Sequence, residues 1–362
     1  MLNQPLQIGS LTIRNRAVLA PLAGVSDPPF RRICQELGAG LTYVEMLSAP
    51  AVIHAGERTY AMISRHASES VLGVQITGRR AAEVAKAVEF LDKQGFDTID
   101  INMGCPVRKI VHSGSGSGFL REPERITATV EAVRAVTKKP ISAKTRLGFE
   151  RPTRTVEDSA TRIAAAGADA FTVHGRYRDD GYCVRVDHEG IETGIRAARQ
   201  ARPGIVVMGN GDVMDRASAE LMVKNTGCDA VMVSRGALGN PWIFDEILGN
   251  RPSAPTLGEW VDVVLRHIAY HEEFYGEGVL SARRIRKHLI WYASGFPRCS
   301  KVRTEFNIVE SMAAARQLIK DYASQYPSSF VRYENTRELA VATDPKYDMD
   351  RSLDRGVGDE GF

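Results

Sequence analysis

The sequence contains no apolar run near the ~20 residues that a membrane-crossing helix needs, and its mean hydropathy is −0.21. No membrane anchor is therefore expected. Cysteine is scarce and scattered: five occur in 362 residues, at positions 34, 105, 183, 228 and 299, with no Cys-x-x-Cys pair. That distribution excludes a disulfide framework and a zinc knuckle, and it points to a reducing cytoplasm. An excess of one charge is also missing. Lys and Arg number 47 against 44 Asp and Glu, a net charge of +3, which permits a nucleic-acid partner without demanding one. The opening Met1-Leu2-Asn3-Gln4-Pro5 lacks a basic stretch followed by an apolar one, so no secretory signal is expected. What is present is an ordinary globular balance, 43% hydrophobic and 25% charged residues, which excludes wholesale disorder. The length suits either two average domains or one α/β barrel of roughly 250 residues with an appendage.

Short β-branched runs alternate with longer stretches of helical period. Strands are predicted at 18–22, 41–45, 71–76, 98–102, 141–146, 170–174, 205–210 and 230–234, with helices such as 79–94, 123–138, 156–166 and 215–226 between them. Gly38, Gly95, Gly167 and Gly227 stand where helices should stop, suited to a left-handed cap. Parallel strands need crossover helices, so eight such units predict an α/β fold, a (β/α)8 TIM barrel; an open doubly wound sheet is the competing architecture. The pattern changes near Gly249, where Asn250-Arg-Pro-Ser-Ala-Pro255 reads as a linker. The expected organisation is a TIM barrel over 1–250, a small all-α helical domain over 251–327 and a polar, partly mobile tail over 328–362.

A barrel collects its functional residues at the C-terminal ends of its strands. Those ends read Pro21-Leu-Ala-Gly24, Glu45, Gln75, Asn102-Met-Gly-Cys-Pro106, Lys144-Thr-Arg146, His174-Gly-Arg176, Asn210-Gly-Asp212 and Ser234-Arg-Gly236, far more polar than the strands that carry them. The last two occupy the places where barrels grip phosphates. Small residues there let backbone N–H groups approach, and Arg235 can add a charged fork. Cys105, stiffened by Pro106 and followed by Arg108 and Lys109, stands out as a reactive thiol, although a lone cysteine is more often an inert core residue. The run Gly114-Ser-Gly-Ser-Gly118 is not a dinucleotide loop, being GxGxG well after its strand, and reads as a flexible loop beside the site. Residues 283–303 hold seven Lys/Arg and no acid, interleaved with Trp291, Tyr292 and Phe296. Such a pattern suits phosphate contacts with base stacking, or simply a solvated face. His267 and His271 stand four residues apart, but no third ligand is evident, so no metal site is expected.

Together these residues resemble the dihydrouridine synthase family, the flavin-dependent reductases of uridine in tRNA. The resemblance runs from about Ile8 to Asn307 and rests on Ile8-Gly-Ser-Leu-Thr-Ile through Asp27, Asn102-Met-Gly-Cys-Pro-Val-Arg-Lys109, Gly209-Asn-Gly-Asp-Val213, Ser234-Arg-Gly-Ala-Leu-Gly-Asn-Pro-Trp-Ile-Phe244 and Lys287-His-Leu-Ile-Trp-Tyr292. It implies FMN as cofactor, NADPH as reductant, tRNA as partner and the helical domain as the RNA-binding part; no obligate protein partner is evident. It further implies that Pro21, Leu22 and Ala23 lie along the flavin ring, that Gln75 bonds its pyrimidine edge and that Lys144 stabilises its anionic reduced form. His174 would support the flavin, with Asn210, Gly211, Asp212, Ser234 and Arg235 at its phosphate end. Asn102 would place the uracil, with Arg108, Lys109, Arg146 and Arg176 as further substrate-binding residues, and Cys105 would protonate C5 after hydride reaches C6.

The sequence departs from the family in one block. Where members carry H-x-R-T-x-x-Q-x-Y-x-G-x-A-D-W, this chain matches at His174, Arg176, Tyr182 and Asp187. It has Tyr177 for the threonine, Asp180 for the glutamine, Val184 for the glycine and His188 for the tryptophan. Ser234 also replaces a usual glycine. The alternatives to a tRNA enzyme are a barrel reductase of a free pyrimidine or small enone, a ribosomal-RNA dihydrouridine synthase and a catalytically silent RNA-binding relative.

Overall fold

Runs such as Leu72–Thr77 and Ala230–Val233 are buried at every position, so their strands have no solvent face and must be covered on both sides. The computed structural model describes residues 1–333 apart from Ala55, Tyr182, Pro252 and Ser253, and not the side chain of Arg58. Most of the expected tail, residues 334–362, and the family-matching Tyr182 thus lie outside the described residues.

The strands are β1 (Leu6–Ile8), β2 (Leu11–Ile13), β3 (Ala17–Leu19), β4 (Thr42–Tyr43), β5 (Leu47–Ser48), β6 (Leu72–Thr77), β7 (Thr98–Asn102), β8 (Ile141–Arg146), β9 (Ala170–His174), β10 (Val206–Asn210) and β11 (Ala230–Val233). From β3 onward the neighbours run β3-β11-β10-β9-β8-β7-β6-β4, all parallel, with β5 extending the pairing along β6. A parallel bridge from Val18 to Leu41 closes the ring. This is a (β/α)8 barrel, and the open-sheet alternative falls on that closure. The antiparallel hairpin β1–β2, which the alternation of strands and helices did not announce, precedes the barrel. Gly38, Gly167 and Gly227 close their helices with positive φ, whereas Gly95, also of positive φ, lies in a turn beyond the cap residue Asp92.

Among the described residues four further helices follow the barrel: Leu257–Tyr275, Val279–Tyr292, Cys299–Phe306 and Met312–Ala323. The first opens with a reciprocal capping box between Thr256 and Glu259. Their shared core takes in Trp260, Leu289, Tyr292, Phe296, Phe306 and Ile319, and it includes Ile33 and Trp242 from the barrel side. Trp260 donates its indole N–H to the Tyr292 carbonyl at 2.9 Å. Tyr292 and Phe296 are therefore packing residues and are not exposed for base stacking. Residues 328–333 run back across the junction. Leu257 N donates to Phe330 O at 2.8 Å, and buried Arg332 donates to Gly239 O and Asn240 Oδ1, each at 3.0 Å.

Arg31 and Glu69 form a fully buried ion pair, Nε to Oε1 2.6 Å, and the guanidinium also donates to Ser26 O and Ser64 O. Removing one partner strands the other charge away from water. Glu69→Ala should destabilise the protein by about 3–5 kcal/mol. Arg162→Ala, which breaks an exposed pair with Asp158, should cost no more than about 0.5 kcal/mol. Urea unfolding of the two variants checks the contrast.

Candidate active site

Parallel register sets polar residues at one level around the barrel mouth. Asn102 stands beside Lys144, Arg146 beside His174, and His174 beside Asn210. A cavity opens there, lined among others by Pro21, Leu22, Ala23, Gln75, Asn102, Cys105, Lys144, Arg146, His174, Asn210, Gly211, Asp212, Ser234 and Arg235, with Met46, Val213 and Met214 also in its wall.

Beneath it runs a buried hydrogen-bonded chain across three strands. Ser142 Oγ donates to Asp100 Oδ1 at 2.5 Å, and Gln75 Nε2 to Asp100 Oδ2 at 2.7 Å. Asn102 Nδ2 donates to Gln75 Oε1 at 2.9 Å, while its Oδ1 accepts the Cys105 N–H at 2.9 Å. The orientation of the cysteine loop is thus inherited from a carboxyl group inside the barrel. Burial raises the pKa of Asp100, and the two hydrogen bonds to it together with Lys144 pull the other way. Sequence reading passed over Asp100 and Ser142; the available signal was one acid inside the apolar strand Thr98-Ile-Asp-Ile-Asn102.

Enclosure takes the Lys144 ammonium out of bulk water and, with Arg146 beside it, lowers its pKa to about 8, against the opposing pull of Asp100 and Cys105. Burial, reinforced by Arg146, Lys144 and Arg176, holds His174 well below its usual value, so its imidazole is neutral. Arg146 braces the loops: Nε donates to Gly104 O at 2.9 Å and Nη1 to Tyr177 O at 2.8 Å.

At the far end two loops meet closely. A Cβ on Gly236 would come within 2.2 Å of Val213 O, and one on Gly211, whose φ is +117°, within 2.6 Å of Val186. Asp212 bridges two arginines, Oδ2 to Arg176 at 2.6 Å and Oδ1 to Arg235 at 2.9 Å. Asn210 Nδ2 donates to Ser234 Oγ at 3.1 Å, which gives the serine at that position a partner that glycine lacks.

Three expected substrate contacts are not brought into the cavity. Arg176 is buried behind it, donating to Val184 O as well as to Asp212. Arg108 and Lys109 lie on the short helix Arg108–His112, beside a separate outer depression. The run 114–118 is no open loop. Gly116–Arg121 is a 3₁₀ helix whose Gly116 N donates to Thr77 Oγ1 at 3.1 Å and whose Ser117 N donates to Cys105 O at 3.0 Å. Two of the substituted positions, Tyr177 and Asp180, pair locally. Asp180 binds Arg151 at 3.0 Å, whose guanidinium lies 4.7 Å over the Tyr177 ring, while Arg154 reaches the Tyr177 hydroxyl. The histidine pair is packed rather than exposed, and a third imidazole, His288, joins it.

The pattern of the dihydrouridine synthase (Dus) family matches residues 18–326. The chain belongs to the dihydrouridine synthase family. It is 34% identical to tRNA-dihydrouridine synthase B of Pasteurella multocida, over 84% of this chain and 91% of that one. It is also 34% identical to tRNA-dihydrouridine synthase B of Pseudomonas putida, over 88% and 95%. A probable tRNA-dihydrouridine synthase 1 of Synechocystis is 35% identical over 87% and 88%. Among solved structures, morphinone reductase has a TM-score of 0.50 at 16% identity, covering 69% of this chain and 90% of that one. A 2-naphthoyl-CoA reductase complex has a TM-score of 0.55 at 11% identity, covering 69% and 52%. At such identities the likeness is one of barrel fold alone. Among the described residues no helix is long and apolar enough to cross a membrane.

The lowered pKa of Lys144 has a consequence for stability. Below pH 8 the amine is charged in both states, and the folded protein bears the full cost of enclosing it. Between about 8 and the ordinary 10.5 the folded state releases the proton first, so stability rises with pH through that window. Ligand-free Lys144→Met should therefore be the more stable at pH 7, by up to roughly 3 kcal/mol, and the difference should close by pH 10.5. Urea midpoints at the two pH values check it.

Proposed function

We infer that the protein reduces uridine in tRNA to 5,6-dihydrouridine, with FMN as its bound cofactor and NADPH as the reductant. The observation that carries this reading is that Cys105, Asn102 and Lys144 line one cavity, with the Cys105 N–H held by Asn102 Oδ1 at 2.9 Å. The donor set suits the flavin nucleotide. Lys144 presents an enclosed cation with no hydrogen-bond partner among the described residues, as an anionic ring edge requires. Gly211 and Gly236 keep the two loops free of side chains, and Arg235 is aimed by Asp212 as a phosphate-binding fork should be. Pro21, Leu22 and Ala23 would lie along the ring, Gln75 at its pyrimidine edge, and His174 as a neutral support. Bound FMN supplies the hydride that reaches C6 of the uracil.

The remaining work falls to the chain's own residues. Asn102, fixed by Gln75, holds the uracil. Cys105 delivers a proton to C5, its loop held by Asn102 Oδ1 and by Ser117. Arg146 and Arg176 act as positioning residues, the first on the cysteine loop and the second on Asp212. Residues 1–250 would be the catalytic domain and 251–327 the RNA-binding one. Exposed Arg283, Arg284, Arg298 and Lys301, with exposed Arg108 and Lys109 on the helix Arg108–His112, favour RNA over a free pyrimidine. Five cysteines, none of them in a disulfide, suit a reducing cytoplasm.

Mapping dihydrouridine in RNA from cells with and without the gene tests the reading. A tRNA position should revert to uridine; loss in ribosomal RNA would change the substrate, and no loss would remove the activity. Cys105→Ala should keep its flavin absorbance but lose turnover by about 10²–10⁴-fold; undiminished turnover would remove the assigned acid. Neutralising Arg283, Arg284, Arg298 and Lys301 together should flatten the salt dependence of tRNA binding, by about 0.7–0.9 in log–log slope for every phosphate that the protein no longer neutralises.

A further inference from the structure

We propose that Asp27, His267 and His288 form a binding site for a divalent transition-metal ion, zinc by the character of its donors, which ties the helical part of the chain to the barrel. The three come from three elements. Asp27 caps the helix Pro28–Glu36 on the barrel side, His267 lies within Leu257–Tyr275, and His288 within Val279–Tyr292. Their ligand atoms all lie within 4.8 Å of one another.

The histidines are almost wholly removed from solvent, at 0% and 1% exposure. His267 Nε2 and both ring nitrogens of His288 have no hydrogen-bond partner among the described residues. A buried polar atom without a partner is costly, and a metal ion here would satisfy His267 Nε2 and one nitrogen of His288 at once. The surrounding bonds already resemble those that orient metal ligands. His267 Nδ1 is 3.1 Å from the Tyr292 hydroxyl, which fixes the ring and leaves Nε2 for the metal. Asp27 Oδ1 accepts the Phe30 N–H at 3.1 Å and Oδ2 the Tyr275 hydroxyl at 3.2 Å, so the carboxylate too is oriented. Phe30 walls the site, its ring 5.9 Å from His267 and 5.0 Å from His288.

Two neutral imidazoles and one carboxylate are borderline donors of the kind zinc takes, with a water in the fourth position. Lys287 and Arg31 oppose a cation here, while Glu45 favours one. Lys287 donates its ammonium hydrogens to Gly24 O. His271 is not part of the chelate: its Nε2 meets Ser281 O at 3.0 Å. None of the three ligands lines the catalytic cavity, so the metal would serve docking and not the reaction.

The test is elemental analysis of the full-length protein after purification without chelator, with cobalt(II) replacement as the spectroscopic readout. About one zinc per chain is expected, together with cobalt(II) visible bands of four-coordinate type and a melting temperature several degrees lower in a strong chelator. Folded Asp27→Asn and His288→Gln variants should lose the metal, whereas His54→Gln, at an exposed histidine, should keep it. Should those variants fail to fold, the chelator and cobalt measurements on the unaltered chain decide alone. A metal-free protein whose melting temperature ignores added zinc and which shows no cobalt bands would overturn the proposal and leave buried water as the occupant. Metal retained in both folded variants would overturn it equally.

Discussion

A carboxyl group inside a barrel core should be expelled, and Asp100 stays because its oxygens are claimed by Ser142 on one neighbouring strand and Gln75 on the other. Much of the site hangs from that bond pair. Gln75, held by Asp100, holds Asn102; Asn102 holds the cysteine loop; and Lys144, one strand over, feels both Asp100 and Cys105. The geometry of the cavity lining is therefore set by hydrogen bonds within the sheet, where backbone register leaves little freedom.

The same economy appears at the opposite end of the cavity. Asp212 occupies a left-handed conformation, φ +48°, unusual for a residue other than glycine. It stays there because its carboxylate is shared by two arginines, one buried and one facing the cavity. Burying Arg176 turns an expected substrate contact into a brace, a use that suits a guanidinium with several fixed donors. The altered block after β9 follows a similar logic. Tyr177 and Asp180 find partners in Arg151 and Arg154, so the substitutions form a local cluster apart from Asn210, Gly211, Ser234 and Arg235 in the cavity wall.

Much of this was legible in one dimension. Strand periodicity located all eight barrel strands, and three of the four glycines after helices located their ends, because both depend on local backbone preference. Polar residues at strand ends located the cavity lining, because a barrel brings those ends together whatever lies between. Short β1 and β2 escaped notice, too brief for a period to register. The glycine-serine run was misread as flexible, since composition does not reveal that Gly116 packs against the Cys105 carbonyl. Tyr292 and Phe296 looked like stacking platforms because a helix presents several faces, and only packing chose which one is buried.

The sequence alone determined the barrel, the family and the residues gathered at its mouth, since these follow from periodicity and from motifs contiguous along the chain. The tertiary structure decided which arginines face the cavity and which stand behind it. It also decided that Asp100 underlies the cysteine loop, and that His267 meets His288 and Asp27 instead of pairing with His271. Each of those outcomes depends on side chains distant in sequence competing for the same few buried partners, and no local pattern records who wins.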